Sequence, residues 1–324
     1  MMNKDCLQLD CAAEVDTIAQ ALREQVLGRL KRRGAVVGIS GGIDSAVVTA
    51  LCVRALGKDK VFGLFMPETD TSDDALAFGQ LLAQTFGIDT ALENIAPALT
   101  ALGCYERQAQ AVRTVVPEFG AGWKFKLVLP SLLDTDRLNV TRLTVQNPQG
   151  HTDTVRLSGS AYLQIVAATN FKQRVRKMME YYHADRLHHA VAGTPNRLEY
   201  DQGFFVKQGD GAADFKPIAH LYKTQVYQLA EHLGVPAEIR RRAPTTDTFS
   251  LPQTQEEFYF ALPHDRMDLC LWAFNHQVPA AEAAAVLDLS EGQVERVFKD
   301  IVAKRRATQY HHMAPLLARP VTDL

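Results

Sequence analysis

Short runs of continuous apolar residues alternate with longer amphipathic stretches through the first third of the chain. Val15, Ile18, Ala19, Leu22, Val26 and Leu30 recur at helical spacing, which predicts a helix over 12–33. The β-branched run Ala35-Val36-Val37 predicts a strand over 34–40, followed by a helix over 44–56 and a second buried strand over 61–66. A helix over 73–86, a strand over 90–95 and a helix over 97–116 continue the alternation. Strands alternating with helices imply the α/β class: a doubly wound parallel sheet, covered on both faces, with ligands beyond the carboxyl ends of its strands.

From 120 to 158 the period changes from helical to strand-like, with runs over 124–129, 138–145 and 154–157 and a turn at Asn147-Pro148-Gln149-Gly150. This predicts a small β insertion, with a lid and a dimer contact both open as its role. Helical spacing returns over 161–182, and Ala190-Val191-Ala192 is a short buried strand. Residues 200–217 predict a loop, 221–233 a helix stopped by Gly234 and Pro236, and 244–255 a flexible loop. Helices are predicted over 266–276, 280–287 and 290–306, the last opened by a capping box of Ser290 and Gln293. The division expected is a main domain over 1–262, carrying the insertion, and a helical C-terminal extension over 263–324.

Composition changes this picture little. At 324 residues, 47% apolar and 22% charged, the chain can bury a sizeable core. A net charge of −2 gives no global pull toward nucleic acid or an anionic membrane. Residues 280–299 have the outline of a helix-turn-helix, but without a basic recognition helix they do not point to DNA. The five cysteines show neither a disulfide framework nor zinc spacing, and no leader or spanning segment is visible, so a cytoplasmic protein is expected.

The chemistry begins at Gly38-Ile39-Ser40-Gly41-Gly42-Ile43-Asp44-Ser45, between a strand and a helix. A glycine turn feeding a helix N-terminus aims backbone N–H groups and a positive dipole end at one spot, which suits a phosphate. Ser40 and Ser45 add hydroxyls, and Asp44 adds a carboxylate able to hold magnesium. The loop is neither a Walker loop nor a dinucleotide fingerprint. It resembles the Ser-Gly-Gly-x-Asp-Ser loop of N-type ATP pyrophosphatases, which implies an adenine nucleotide alpha hydrolase-like fold and cleavage of ATP to AMP.

Further segments extend the resemblance: Arg174-Val175-Arg176, Gly193 to Glu199, Gly203 to Asp214, Leu221 to Gln225 and Pro244 to Asp247. In this order they resemble ammonia-dependent NAD synthetases, from the first helix to about Arg306, with 120–158 unmatched. The resemblance implies that ATP and deamido-NAD react to an acyl-adenylate, which ammonia converts to NAD. It places Lys223, Thr194 and Thr245 on ATP, Arg174, Lys207, Asp214 and Lys304 on deamido-NAD, and implies a homodimer. Asp44 and Glu199, on loops at one sheet edge, suit a shared magnesium between phosphates. Asp210 is a candidate base toward ammonium. Glutamine-dependent members carry an N-terminal amidase domain; only 33 residues precede the first strand, so free ammonia or a separate glutaminase is the expected donor.

The chain departs from the family pattern where Lys177 replaces the methionine after Arg-x-Arg, where Ala303 stands before Lys304, and where Ala212 follows Gly211. The tail from Ala307 has no evident counterpart. These departures leave a divergent paralogue, amidating another carboxylate, as the alternative.

Overall fold

The computed structural model describes residues 2–131, 141–246 and 248–321. Helix α1 (Cys11–Arg23) runs into a π-helical turn at Glu24–Arg29, so the single predicted helix ends with one turn wound at a wider pitch. Strand β1 (Ala35–Gly38), helix α2 (Ile43–Leu56), β2 (Val61–Phe65), α3 (Asp73–Phe86) and β3 (Asp89–Leu92) follow. The helix expected over 97–116 is two: α4 (Ala96–Ala101) and α5 (Cys104–Arg113). Gly103 divides them by taking a left-handed conformation (φ 69°) that ends a helix cheaply only without a Cβ.

The insertion forms an antiparallel meander of β4 (Lys124–Val128), β5 (Arg142–Gln146) and β6 (Thr152–Arg156). The first three residues of the middle strand expected over 138–145 lie outside the described residues. Asn147 and Gly150 make the expected turn, with Gly150 at φ 85°. Helix α6 (Gly159–Leu187) leads to β7 (Ala190–Val191), then α7 (Arg197–Gln202), α8 (Lys223–His232) and α9 (Ala237–Arg241). Helix α7 occupies the start of the loop predicted over 200–217. The C-terminal helices are α10 (His264–Asn275), α11 (Ala280–Leu287) and α12 (Glu291–His312). The Ser290–Gln293 capping box forms as expected, but α12 runs six residues past the predicted end.

The main sheet is parallel in the order β3-β2-β1-β7. Alternate residues of β1 feed opposite faces. Ala35 and Val37 join α1, α2 and α8 in one core, while Val36 joins Leu64, Leu99 and Val175 in another. Chain order builds outward from β1 to β3, then returns through α6 to place β7 on the other side of β1. The crevice between β1 and β7 is therefore the topological switch point. No helix among the described residues is long and apolar enough to cross a membrane.

Helices α10 to α12 build a core of their own with Leu198 of α7 and Tyr222 beside α8. Arg305 on α12 grips Asp201 of α7 with two N–H groups, at 2.6 and 2.7 Å. Gly203 ends α7 in the left-handed region (φ 69°, ψ 31°), and a Cβ there would lie 2.2 Å from Thr308 Cβ on α12. Gly203→Ala therefore meets both a backbone penalty and a steric one. Urea denaturation is expected to show a loss of about 2 kcal/mol or more; unchanged stability would mean that α7 and α12 are not packed this closely.

Candidate active site

A cleft of about 1040 Å³ opens at the switch point, bordered by the ends of β1 and β7, by α6, and by loops from both halves of the chain. On one wall the turn after β1 is shaped by its own side chains. Ser40 Oγ accepts from Gly42 N at 3.3 Å, and Ser45 Oγ donates to Gly42 O at 3.1 Å. Gly41 takes φ 75°, and a Cβ on it would lie 2.5 Å from Ala75 O. That glycine is required twice over, by its backbone angle and by the closeness of α3. The first helical hydrogen bond runs from Ala46 N to Gly42 O, so the N–H groups of Ile43, Asp44 and Ser45 have no partner within α2. Gly38, Ile39, Ser40, Gly42, Ile43 and Ser45 all line the cleft; Gly41 shapes the turn from behind.

Asp44 points from the first turn of α2 and forms an ion pair with Lys223, the first residue of α8. Lys223 is 2% exposed. Burial works against its charge, yet the Asp44 and Glu199 carboxylates hold its pKa above the ordinary lysine value. The second Asp44 oxygen accepts from Asn196 Nδ2 at 3.1 Å. Asn196 in turn caps α7, its Oδ1 accepting from Leu198 N and Glu199 N, while Glu199 Oε2 accepts from Asn196 N at 3.0 Å. Gln255 Nε2 donates to the other Glu199 oxygen at 3.0 Å. Burial and then the nearby Asp44 charge push the Glu199 pKa well up, with Lys223 opposing. Thus Asp44, Glu199 and Lys223, from the first turns of three helices, meet beside the glycine turn.

Three partners in this constellation are not among the residues that the sequence singles out. Asp268 of α10 accepts from Lys223 N at 3.2 Å and Thr224 N at 2.6 Å, and so caps the helix that presents the lysine. Burial raises its pKa to about 7 against the pull of those donors. Gln255 belongs to the loop predicted over 244–255. Asn196 is legible in principle, because Asn-x-x-Glu before a helix is a capping pattern.

Thr194, at the end of β7, and Thr245 both border the cleft. Thr245 pairs with Thr254 across a bridge, and the segment that follows is fastened to β4 of the insertion. Phe125 N donates to Ser250 Oγ at 2.8 Å, Leu251 N to Phe125 O at 3.2 Å, and Leu129 N to Glu257 O at 2.8 Å. Phe249 packs into the apolar face of the meander beside Phe125 and Leu127. The insertion is therefore the bed on which this loop lies.

On the opposite wall, Arg174 Nε donates to Lys207 O at 3.3 Å. Lys207 Nζ donates to Tyr310 O at 2.8 Å and Met313 O at 3.1 Å, closing the end of α12. Lys304 Nζ reaches Tyr259 O and Asp300, each at 2.7 Å, and burial lowers its pKa while Asp300 raises it. All three line the cleft. Half-buried Asp210 also lines it; its Oδ1 accepts from Val206 N at 2.7 Å, and desolvation raises its pKa. Asp214 is placed differently: its carboxylate accepts from Val191 N at 2.7 Å and Tyr181 Oη at 3.3 Å, away from the cleft lining.

Lys177, the departure from the family pattern, is buried on α6 and pairs with Glu180 at 2.5 Å. Both line the cleft beneath Gly38.

The family model described as NAD synthase matches residues 14–117 and 139–312. Two expectations change with it. The internal gap in the match is 118–138 rather than all of 120–158, and the match continues past Arg306 to the end of α12. A protein of Mesorhizobium japonicum named NH(3)-dependent NAD(+) synthetase is 66% identical over 312 residues, covering 96% of this chain and 98% of its own. One of the same name from Rhizobium meliloti is 56% identical over 324 residues, covering 100% and 97%. Among solved structures, an NMN synthetase from Francisella tularensis aligns with TM-score 0.67 at 21% identity, covering 96% of this chain and 99% of that one. An NH3-dependent NAD synthetase from Campylobacter jejuni aligns with TM-score 0.62 at 20% identity, covering 96% and 100%. These two share the doubly wound α/β fold. On the family model and the long, high-identity relatives together, the chain belongs to the NAD synthase family.

Proposed function

We propose that the chain is an ammonia-dependent NAD synthetase, a carbon–nitrogen ligase that uses ATP to convert deamido-NAD to its amide. The observation that carries this reading is the meeting of Asp44, Lys223 and Glu199 beside the glycine turn, within a chain 66% identical over almost its whole length to a protein of that name. The fold alone does not choose the carboxylate, since a protein described as an NMN synthetase shares it.

A carboxylate resists attack because its own charge repels nucleophiles. Its oxygen attacks the α-phosphorus of ATP, the bond to the β,γ-diphosphate breaks, and pyrophosphate leaves. Ammonia then adds to the carbonyl carbon of the acyl-adenylate, AMP departs with the bonding pair, and a proton is lost from nitrogen to give the amide. In this reading the N–H groups of the Ser40–Ser45 turn hold phosphate oxygens, Thr194 and Thr245 contact the nucleotide, and Lys223 neutralises charge on the departing pyrophosphate.

The donor set fits magnesium. Asp44 and Glu199 are two carboxylates on one wall, and no cluster of three or more acidic, histidine or cysteine ligands occurs among the described residues. Two carboxylates completed by phosphate oxygens and water is the set this ion prefers. Asp44 and Glu199 would hold it, and bound there it would neutralise phosphate charge.

Arg174 and Lys207 suit the dinucleotide's own pyrophosphate, and Lys304, paired with Asp300, borders the same wall and would reach substrate from there. Asp214 would meet substrate only through a surface other than this cleft. A homodimer is part of the proposal, supported by Leu163, Met178 and Tyr182 standing exposed on α6. Free ammonia or a separate glutaminase would supply nitrogen, and the free cysteines suit a reducing, cytoplasmic setting.

The deciding experiment incubates the protein with ATP, magnesium, deamido-NAD and ammonium and follows NAD and AMP together by mass spectrometry. Equimolar NAD and AMP are expected, with neither formed by Asp44→Ala. AMP formed only with some other carboxylate would instead favour the divergent paralogue. Lys223→Met is expected to lower kcat by about 10²–10³, with a smaller effect on deamido-NAD binding. Asp210→Asn separates the two steps. If Asp210 takes the proton from ammonium, deamido-NAD-dependent exchange of pyrophosphate into ATP persists while amide formation falls by about 10²-fold. Unchanged turnover at saturating ammonium would remove Asp210 from catalysis.

A further inference from the structure

Lys172 of α6 is buried to 1% exposure, and its ammonium is shared between two loops that come from different parts of the chain. Nζ donates to Glu68 Oε1 at 3.0 Å, Asp70 Oδ2 at 2.6 Å and Thr248 O at 2.9 Å. A lysine ammonium has three protons, and each has an acceptor. The second oxygen of Glu68 accepts from Tyr105 Oη at 2.9 Å, and the Tyr105 ring lies 5.7 Å from the ammonium. A further bond joins the same two loops near their bases, from Arg242 to Ser72 Oγ at 2.9 Å. Burying this cation and the Glu68 carboxylate is expensive, and an apolar side chain of similar volume would fill the space without desolvating charge. What the cation adds is direction. It fixes one carbonyl of the 244–255 loop against α6 and against the loop after β2, three residues beyond Thr245.

We propose that Lys172 is a positioning residue: by holding the Thr248 carbonyl it sets where Thr245 stands over the phosphate turn, and it ties that placement to the loop after β2. The proposal rests on the reading of Thr245 as a nucleotide contact. Thr245 is paired with Thr254 and Thr246 N donates to Gln253 O, while the meander holds Ser250 and Leu251, so Thr248 is the point at which the loop is fastened to α6.

Lys172→Met alone would strand two buried carboxylates, so the test uses Lys172→Met with Glu68→Gln, which leaves Asp70 to ionise at its more open position. The KM for ATP is expected to rise about tenfold or more, with the KM values for ammonium and deamido-NAD unchanged. Hydrogen exchange should quicken over 244–255 and stay the same in α2 and α6. In a Thr245→Ala background the double change should add little, because a residue acting through Thr245 has nothing left to position. Unchanged exchange over 244–255, or effects on KM that multiply with those of Thr245→Ala, would overturn the proposal. If the double variant fails to fold, Lys172→Gln with Glu68→Gln takes its place, its shorter amide withdrawn from Thr248 O: faster exchange over 244–255 supports the proposal and unchanged exchange there overturns it. Loss of the ATP effect in Thr245→Ala alone would fault the reading of Thr245 instead, and failure of the wild type to make NAD would fault the reaction.

Discussion

A buried lysine at the start of a helix is a placement that physical chemistry resists. The first turn of a helix carries a partial positive charge, so a cation there is repelled as well as desolvated. Lys223 occupies that position in α8 and stays charged because Asp44 faces it. Asp44 stands in the first turn of α2, where the same dipole favours an anion. The pair lets two helix N-termini approach one crevice without bringing two positive ends into unshielded contact. Asn196 closes the arrangement by bonding Asp44 with its amide while its carbonyl oxygen caps α7, and so a third helix start is drawn to the same place. Asp268 and Asn196 take up the first N–H groups of α8 and α7, so it is the glycine turn and the start of α2 whose N–H groups stay open toward the cleft.

The remaining architecture keeps that point in register. Asp268 reaches across from α10 to cap α8, so the helix that presents Lys223 is anchored by one that holds its backbone N–H groups. Arg305 binds α12 to α7, and Lys207 closes the end of α12 over the loop that follows α7. The β meander and Lys172 hold the 244–255 loop from two sides. Elements that look peripheral in sequence are therefore the ones that fasten the loops bordering the cleft.

The alternation of apolar runs is enough to place the parallel sheet, and the glycine turn is legible residue by residue, because both are local patterns. Gly103 shows where such reading stops: a helical period continues through it, and only its backbone angle divides α4 from α5. The short helix α7 reads partly as loop because six residues leave little periodicity to see. Asp44, Glu199 and Lys223 can be picked out from motifs, but their meeting is a property of the switch point. Asp268 and Lys172 have no signature at all. Their partners lie 45 and 76 to 104 residues away, so the reason for a buried charge appears only when those segments are packed together.

The departures from the family pattern can be weighed in the same terms. Lys177 places a charge where the family commonly has methionine, on the part of the cleft wall beneath Gly38. A new unpaired cation there would alter what the cleft attracts. Instead Lys177 is paired with Glu180 one helical turn on, so the two together add no net charge to the wall. A Cβ on Gly38 would lie 2.8 Å from the Glu180 carboxylate oxygen, so the glycine at the end of β1 leaves room for the acid on α6. The substitution is thus compensated inside the fold. Among the cations that border the cleft, Arg174, Arg176 and Lys207 bond backbone carbonyls, whereas Lys304 is paired with Asp300. Lys177 brings no unpaired charge to the wall, so this departure by itself gives no reason to look beyond a dinucleotide substrate.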